Sequence, residues 1–546
     1  MAIREMSLLL GFLVLLSSLA PTMPMTYVNC TIPHDPTFSR NSFPGGFVFG
    51  TGSAAYQYEG HANKSNRGPS IWDTFTHDYP ARIKDHSTGD VAIDFYDLYK
   101  DDIRKMKDMH MDAFRFSISW TRMIPSGQVQ WGINDEGIEF YNNLIDEIIL
   151  NGLVPYATLF HWDTPQALFD KYGGFLSENI VNDFRDFADL CFQSFGDRVK
   201  HWFTLNEPDT YSVHGFDSGV GAPGRCSAWV DKACQAGDSA TEPYIVTHNL
   251  LRSHAAAVKL YREKYQEQQN GKIGITLCSF WYEPYSETPA DYEAVQRILD
   301  FNLGWHLSPI TYGDYPRSMR SLVGDRLPNF TAQETSDLRG SYDILGLNYY
   351  GAYYAKNLTR VDPDPTHLRY ATDSHVNVTG EKNGKLIGPQ AASPWLYVYP
   401  KGIRYLLNYT KDQYRNPTIY ITENGVSDFN NGSQISLKTA LNDTCRAKYY
   451  HDHLKNVLRS IENHGTIVKG YFAWTFADDF EWPNGYTIRF GLYYTDYQHN
   501  LHRYPKRSVQ WFTNFLKGYK WNKEPLSSSP LRFSSSAPSD RQYLDE

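Results

Sequence analysis

The sequence lacks several features that mark large classes of protein. Its lysines and arginines form no run, and the net charge is −9 at pH 7. Because proteins normally bind nucleic acid through a basic patch, this negative net charge argues against nucleic acid as a partner. Neither an HExxH nor a CxxC spacing occurs. We therefore expect no metal site and no organic cofactor.

The sequence also has no apolar run that is long enough to be a confident membrane span. Its main apolar stretch, from Met6 to Leu19, follows Arg4 at the very start of the chain. Such a length and position are typical of a secretory signal. We predict a signal peptide over residues 1–25 and no membrane segment in the mature form, and a retained anchor is the less favoured alternative.

Potential glycosylation sites agree with a secretory route, because N-x-S/T acceptors need a lumenal, exposed loop. The chain ends without a KDEL-type signal, which gives no support to retention in the endoplasmic reticulum. There are eight such sites, at Asn29, Asn63, Asn329, Asn357, Asn377, Asn408, Asn431 and Asn442.

Cysteine is scarce, and six residues are too few for a disulfide scaffold at this length. Cys226 and Cys234 lie close together in a segment with Gly and Pro, which favours one disulfide bond in an oxidising compartment. Cys191 and Cys278 sit in apolar stretches and are predicted to be small buried hydrophobes. The pattern leaves two cysteines unassigned, Cys30 and Cys445.

Short apolar runs rich in β-branched and aromatic residues recur eight times, each followed by a segment with helical spacing. This alternation is the pattern of an α/β fold, a single (β/α)8 TIM barrel. We predict the barrel over residues 26–525, with long loops at 209–240 and 351–400 over its C-terminal face. A Ser/Pro-rich tail at 526–546 is predicted to be disordered. The runs begin at Gly46, Ala113, Leu153, His201, Lys272, Tyr342, Thr418 and Val468.

Two carboxylates stand where predicted barrel strands end. Glu207 in TLNEP closes the fourth run, and Glu423 in ITENG closes the seventh. Strand ends at that face converge on one site, so the two acids can become neighbours. Glycoside hydrolysis needs such a pair, because one acid protonates the leaving oxygen while the other attacks or activates water. Taken singly, either glutamate is explained at least as well as a helix cap or the partner of an arginine.

The alternation of residues in FRFSISW favours a functional role for Glu423 over these simpler explanations. Phe114 and Phe116 fall on one face of the predicted strand, which continues to Trp120, and Arg115 falls on the opposite face. A guanidinium inside the barrel requires a carboxylate partner, and Glu423 is a natural one.

The chain resembles glycoside hydrolase family 1, and more narrowly the secreted plant β-glucosidases of the cyanogenic, linamarase-like group. The likeness spans nearly all of residues 42–520 and rests on strings such as FPGGFVFGTGSAAYQYEG, TLFHWDTPQAL, TLNEP, GLNYY, YITENG and FEWPNGYTIRFGLYYTD. It implies a retaining β-glucosidase that removes terminal β-D-glucosyl residues from plant secondary-metabolite glycosides without a cofactor. It also implies an apoplastic or vacuolar location, and a homo-oligomer is compatible with it.

The resemblance also implies roles for individual residues. The Glu of TLNEP is the acid/base in that family and the Glu of TENG is the nucleophile, which gives these roles to Glu207 and Glu423. Arg115 matches the family Arg beside the nucleophile, and Tyr350 would hydrogen-bond to that nucleophile. The sugar hydroxyls and ring would be held by Gln57, His161, Asn206, Trp474, Glu481 and Trp482, with Phe490 and Trp395 at the deeper rim and the aglycone side.

Two departures from the family pattern bear on substrate choice. The family usually reads DNFEW where this chain has ADDFEW, so Asp479 replaces an Asn and Ala477 a larger residue. The loop after TLNEP also differs. One alternative is therefore a diglycosidase that releases a whole disaccharide, which an enlarged pocket near Asp479 would favour. Another is a catalytically inactive sugar-binding protein, but such members typically lose the acid/base residue, and Glu207 is present.

Overall fold

Eight parallel strands form the centre of the computed structural model, which describes residues 30–33, 35, 37–358, 366–430 and 435–518. The strands are β1 Val48–Gly52, β2 Ala113–Ser117, β3 Val154–Phe160, β4 His201–Asn206, β5 Lys272–Cys278, β6 Ile344–Asn348, β7 Ile419–Asn424 and β8 Val468–Ala473. Each pairs with its neighbours in the chain, and β1 pairs with β8, which closes the barrel. The predicted TIM barrel is confirmed. The predicted signal peptide and tail lie outside the described residues.

Helices follow the strands. Seven helices are the last of more than four residues before the next strand, and an eighth follows β8: Phe95–Asp108, Asp135–Leu150, Asn179–Phe195, Glu242–Lys264, Ala332–Leu338, Pro400–Gln413, Thr444–His464 and Arg507–Lys517. Additional helices lie in the connections, at Ala55–Tyr58, Ile71–Asp78, Trp120–Met123, Gln166–Tyr172, Pro208–Phe216, Gln266–Gln269, Pro289–Leu299, Trp305–Tyr312, Arg317–Val323, Tyr370–Asp373 and Leu437–Leu441.

The helix Asp135–Leu150 shows how the sequence sets these elements. Two acids, Asp135 and Glu136, stand in its first turn, where they interact favourably with the helix dipole. Its apolar residues recur every three to four positions and form one buried face, while the opposite face is polar. The buried face consists of Phe140, Tyr141, Leu144, Ile145 and Ile148.

The interior of the barrel changes character along its axis. Six buried side chains fill the end where the strands begin, namely Ala113, Tyr156, Phe203, Ile344, Tyr420 and Phe472. One step further along β2, the inward position holds Arg115, which is fully buried. The barrel interior is therefore filled by apolar side chains at one end and carries a buried charge further along its axis.

The second strand is shorter than the alternation predicted. It ends at Ser117, and Trp120–Met123 forms a helical turn, so the extension of the strand to Trp120 is wrong. In this turn the Trp120 ring stacks on the Phe187 ring, with centroids 5.1 Å apart. The position of Trp120 is therefore set by packing against the helix Asn179–Phe195 and not by the alternation of a strand.

The two long connections contain regular structure. The segment after β4 starts with the helix Pro208–Phe216 and is held further along by a disulfide bond between Cys226 and Cys234. The segment after β6 contributes Ala352–Asn357 and Val376–Thr379, which form a small sheet with Trp281–Pro284.

A second disulfide bond joins Cys30 to Cys445, residues that are 415 positions apart. Cys191 and Cys278 are buried and unbridged. Within the described ranges, no helix combines the length and the apolar character needed to cross a bilayer.

Candidate active site

Both glutamates stand at irregular strand ends. The pairing of β4 with β5 shifts register between Phe203 and Asn206, and the pairing of β7 with β6 shifts between Ile421 and Glu423. Such irregularities re-aim side chains and are common beside active sites. Glu207 itself has a left-handed backbone (φ 44°), a conformation that costs a non-glycine residue free energy and clusters at functional sites.

Glu423 is held by one cation and one phenol. Its Oε1 accepts a hydrogen bond from Nη1 of Arg115 at 2.8 Å, and its Oε2 accepts one from the hydroxyl of Tyr350 at 2.7 Å. Burial raises the pKa of Glu423, and the guanidinium of Arg115 is the main influence that opposes this rise. The pair is fully enclosed, so the two charges compensate each other in a medium that screens them poorly.

Glu207 is held only by neutral donors. Nδ2 of Asn348 donates to Oε1 at 2.7 Å, and the hydroxyl of Thr210 donates to Oε2 at 2.9 Å. Burial, followed by the charges of Glu423 and Asp209, raises the pKa of Glu207 to about 8. The carboxyl group therefore keeps its proton at neutral pH.

Asn206 and Asn348 connect the two acids. Oδ1 of Asn206 accepts hydrogen bonds from Nη2 of Arg115 at 2.6 Å and from Nδ2 of Asn348 at 3.3 Å. Because these donors fix the orientation of the Asn206 amide, its Nδ2 donates to Nε2 of His161 at 3.1 Å. The imidazole is thus neutral, and burial together with the charge of Arg115 lowers its pKa well below the usual range.

The glutamates open onto one cavity of about 450 Å³ at the C-terminal ends of the strands. This volume is within the range of small-molecule sites. Ten of the residues predicted from the sequence line it, namely His161, Asn206, Glu207, Tyr350, Trp395, Glu423, Trp474, Glu481, Trp482 and Phe490. Gln57 and Arg115 do not line the cavity and are fully buried behind its wall.

Comparison with known proteins shows the family of the chain. The family model of glycosyl hydrolase family 1 matches residues 39–520. The chain belongs to glycosyl hydrolase family 1. It is 56% identical to Beta-glucosidase 12 of Oryza sativa subsp. indica over 88% of this chain and 94% of that protein. It is 52% identical to raucaffricine-O-beta-D-glucosidase of Rauvolfia serpentina over 87% and 91% of the two chains. The crystal structure of the rice Os3BGlu6 beta-glucosidase superposes with a TM-score of 0.86 at 50% identity, covering 88% of this chain and 99% of that one. The protein is an O-glycoside hydrolase, a β-glucosidase.

Some polar atoms at the inner end of the cavity of this family 1 enzyme, or just behind its wall, lack a protein partner. Nδ1 of His161 and Oε1 of Glu481 belong to residues that line the cavity, and Oε1 of Gln57 belongs to a residue behind the wall; each is buried without a hydrogen bond among the described residues. Native proteins rarely leave such atoms unsatisfied, so unmet polar groups at a cavity call for water or a ligand. Their chemistry, two acceptors and one N–H donor, suits sugar hydroxyls.

The outer end of the cavity is aromatic and partly exposed. Trp395 packs edge-on against Tyr350, with ring centroids 5.5 Å apart, and against Phe280 at 6.0 Å. Elsewhere in the cavity lining, the ring centroid of Trp482 lies 4.5 Å from that of Trp162 and 4.7 Å from that of Trp72. Flat rings in a cavity wall suit an apolar group that carries rings of its own.

Several residues of this family 1 site were missed by reasoning from the sequence. Asn348 is the last residue of β6 and lies in the string GLNYY. Its place at a strand end was the feature of the sequence from which its contact with Glu207 could have been predicted. Thr210 stands three residues after Glu207, the spacing at which a helix returns to the same face. Cys278 was predicted only as a buried hydrophobe, yet it also lines the cavity because it ends β5.

Proposed function

We propose that this β-glucosidase acts by double displacement, with Glu423 as the nucleophile and Glu207 as the acid/base. One observation carries this assignment: the two carboxyl groups have opposite electrostatic surroundings. Glu423 bonds to a guanidinium, whereas Glu207 bonds only to neutral donors and has a pKa raised to about 8. A retaining glycosidase needs one ionised and one protonated carboxyl group.

In the first step Glu423 attacks the anomeric carbon, and Glu207 gives its proton to the departing aglycone oxygen. The bond between glucose and Glu423 neutralises the charge of that carboxylate. The pKa of Glu207 falls as a result, so that Glu207 then takes a proton from water, which releases glucose with retained configuration. Retention requires that the two carboxyl groups lie roughly 5–5.5 Å apart.

We further propose that the inner end of the cavity holds the glucose ring. Gln57, His161, Asn206 and Glu481 would bind its hydroxyls, and Trp474 and Trp482 would pack on its faces. The support is that all of these residues except Gln57 line the cavity together with the two glutamates. Gln57 contributes an unmet polar atom, Oε1, behind the cavity wall.

The substrate class follows from the outer end. We propose small-molecule plant glycosides whose aglycone is apolar and carries rings, because Trp395, Phe280 and Tyr353 line that end. The relative from Rauvolfia serpentina is named as a β-D-glucosidase that acts on a small-molecule glucoside, raucaffricine. A disaccharide-releasing enzyme is not favoured: Asp479 is fully buried and does not line the cavity, so the expected enlargement beside it is not found.

We propose a secretory route for the chain, ending in the apoplast or the vacuole. Two disulfide bonds support an oxidising compartment. Four acceptor asparagines are exposed, as glycosylation requires: Asn63, Asn329, Asn377 and Asn442. Deglycosylation of the protein secreted from plant cells, followed by mass spectrometry of peptides, tests this route.

The assignment of the two acids is tested by comparing Glu207→Gln with Glu423→Gln. The Glu207 variant should still form the covalent intermediate with an activated aryl glucoside, and azide should rescue it to give β-glucosyl azide. The Glu423 variant should be inactive on all glucosides, with any azide product in the α configuration. Proton NMR identifies the products, and β-azide from the Glu423 variant would reverse the assignment.

A further inference from the structure

The connection after β5 contains a helical turn of an uncommon kind. Asp300–Gly304 forms a π-helical turn between the helices Pro289–Leu299 and Trp305–Tyr312. Such turns are rare, and they frequently occur at functional sites. The central residue of the turn, Asn302, is half-buried and does not line the cavity. The reaction steps proposed above do not use it.

The amide oxygen of Asn302 faces the aglycone side of the cavity. Its Oδ1 accepts hydrogen bonds from the backbone N–H of Phe280 at 3.3 Å, from the hydroxyl of Ser279 at 3.0 Å and from that of Tyr282 at 3.3 Å. Phe280 lines the cavity and packs edge-on against Trp395. One amide oxygen therefore holds the segment that carries an aromatic wall of the outer end.

The amide nitrogen of Asn302 faces the helix that follows Glu207. Its Nδ2 donates to Oδ2 of Asp209 at 3.2 Å. Because the backbone N–H of Phe280 can only donate, it fixes the orientation of the amide and leaves Nδ2 for the carboxyl group. Burial raises the pKa of Asp209 to about 7. Since both the charged and the protonated carboxyl group can accept from an amide, the contact does not depend on the protonation of Asp209.

Asp209 lies beside the acid/base. It is a buried residue in the first turn of the helix Pro208–Phe216, for which Glu207 is the N-cap. The next residue, Thr210, donates to Oε2 of Glu207 at 2.9 Å. Within the described ranges, no side chain other than Asn302 donates to Asp209. An anchor for Asp209 is therefore also an anchor for the turn that holds the acid/base and its hydroxyl donor.

We infer that Asn302 is a positioning residue that holds both the aglycone wall at Phe280 and the helical turn of the acid/base at Asp209 through a single amide. The inference rests on the proposed function, in which Glu207 is the acid/base and the outer end binds the aglycone. Asn302 itself touches neither Glu207 nor the cavity, so it acts through the two residues to which it bonds. Its two contacts should affect different substrates.

Two substrates separate the two contacts. An activated aryl β-glucoside has a ring to bind and a leaving group that departs without a proton, whereas methyl β-glucoside has no ring and needs the acid. In Asn302→Ala at pH 6, kcat/KM for the aryl glucoside should fall about 2- to 10-fold, as for a displaced aromatic contact. For methyl β-glucoside kcat/KM should fall about fivefold, the usual effect of one lost hydrogen bond. An unchanged value for either substrate would overturn the inference.

A reciprocal exchange of the two side chains tests the pairing directly. In the double variant Asn302→Asp with Asp209→Asn, the carboxyl group at position 302 still accepts from the Phe280 segment, and the amide at position 209 donates to it. The hydrogen bonds are thus kept, with donor and acceptor reversed. Both kcat/KM values at pH 6 should lie within about twofold of the wild type. Values as low as those of Asn302→Ala would contradict the proposed role.

A double-mutant cycle of Asn302→Ala and Asp209→Ala on methyl β-glucoside tests the contact with the acid/base turn. Losses from residues in one hydrogen-bond network do not simply multiply. The double variant should therefore lose no more kcat/KM than the worse single variant. Losses that multiply would show that the two residues act independently, and the inference would then be wrong.

Asn134→Ala is the matched control. Asn134 is a buried amide that donates to the backbone oxygens of Ser65 at 2.7 Å and Arg122 at 2.8 Å, and it does not line the cavity. Its loss should lower Tm about as much as the loss of Asn302, while both kcat/KM values stay within about twofold of the wild type. Losses of kcat/KM equal to those of Asn302→Ala would show a general effect of destabilisation and would rule out a positioning role.

Failure of the proposed function would look different. In that case the wild-type protein would not hydrolyse β-glucosides, Glu207→Gln would lose as much kcat/KM on the aryl glucoside as on methyl β-glucoside, or Trp395→Ala would leave the aryl glucoside unaffected. If none of these results is obtained and only the Asn302 variants behave otherwise than expected, the inference alone is wrong.

Discussion

The two ends of the cavity are built in different ways. At the inner end most of the lining side chains come from strand ends or directly after them and are enclosed, with Asn206 at 1% and His161 at 2% exposure. At the outer end they come from long connections, and Trp395 is 39% and Val220 45% exposed. In the function proposed above, the barrel therefore fixes recognition of the sugar and the chemistry, whereas the connections fix recognition of the aglycone. Substitutions at the inner end should mainly lower kcat, whereas substitutions at the outer end should mainly raise KM.

The largest effect is expected from Arg115→Met at the inner end. This change leaves Glu423 buried without its cation, and breaking such a pair costs about 3–5 kcal/mol. If most of that cost falls on the transition state, kcat drops about 10²–10⁴-fold. Steady-state kinetics on an aryl β-glucoside measures it.

Arg122→Met is the matched control for this prediction. Arg122 is equally buried and bonds to Glu59 at 2.8 Å, but Glu59 does not line the cavity, whereas Glu423, the partner of Arg115, does. Its loss should lower Tm by a similar amount while kcat of the folded protein changes only a few-fold. Equal losses of kcat in both variants would show that Arg115 acts through stability and not through the nucleophile.

The next effect concerns pH. Because the acid must be protonated and burial raises the pKa of Glu207 to about 8, activity should be present below pH 8 and lost above it. For substrates with poor leaving groups, kcat/KM should fall about tenfold per pH unit on that limb. Asp209→Asn removes one charge that raises this pKa, so the limb should move to lower pH. An unchanged alkaline limb in Glu207→Gln on an activated aryl glucoside would assign it to another group.

A smaller effect is expected at the outer end from Trp395→Ala. The indole offers an apolar face to the aglycone, and an aromatic contact of this kind is worth about 0.5–1.5 kcal/mol. KM for glucosides with ring-bearing aglycones should rise about 2- to 10-fold with little change in kcat. Methyl β-glucoside, which has no ring to place there, should be unaffected, and an equal rise in its KM would place Trp395 at the sugar instead.

The smallest effect is expected from removing the Cys226–Cys234 disulfide bond in a double serine variant. The bridge closes a loop of only 8 positions, and closing so short a loop contributes about 2–3 kcal/mol. Cys226 and Cys234 lie near Gly219, which precedes the cavity residue Val220. Tm should fall by a few degrees and KM should rise up to a few-fold. A large loss of kcat would mean that this loop also shapes the inner end.

The barrel could be predicted from the sequence because its signal is repeated. All eight strands begin within two residues of the start of their apolar runs, and Glu207 and Glu423 follow from the rule that strand ends converge. The partner of Arg115 was predictable for a simple reason: a buried guanidinium needs an acid. These inferences depend on local residue patterns and on charge balance, and both can be read from the sequence alone.

Other features depend on geometry that a pattern does not encode. The contact between Asn348 and Glu207 is one case, because the register shift near the end of β4 decides which strand-end side chains meet. The pairing of Cys30 with Cys445 is another, since no spacing predicts a bond between the start of the chain and a late helix.

The bond between Cys30 and Cys445 makes most of the polypeptide a single covalent ring. The ring encloses the first seven barrel strands and both glutamates. A protease that cuts once inside the ring opens it without separating the pieces, so the nicked chain migrates as one band until a reductant is added. Loss of the full-length band on a reducing gel would therefore not measure loss of the assembled enzyme. Comparison of a reducing gel with a non-reducing gel would locate the peptide bond that is cut first.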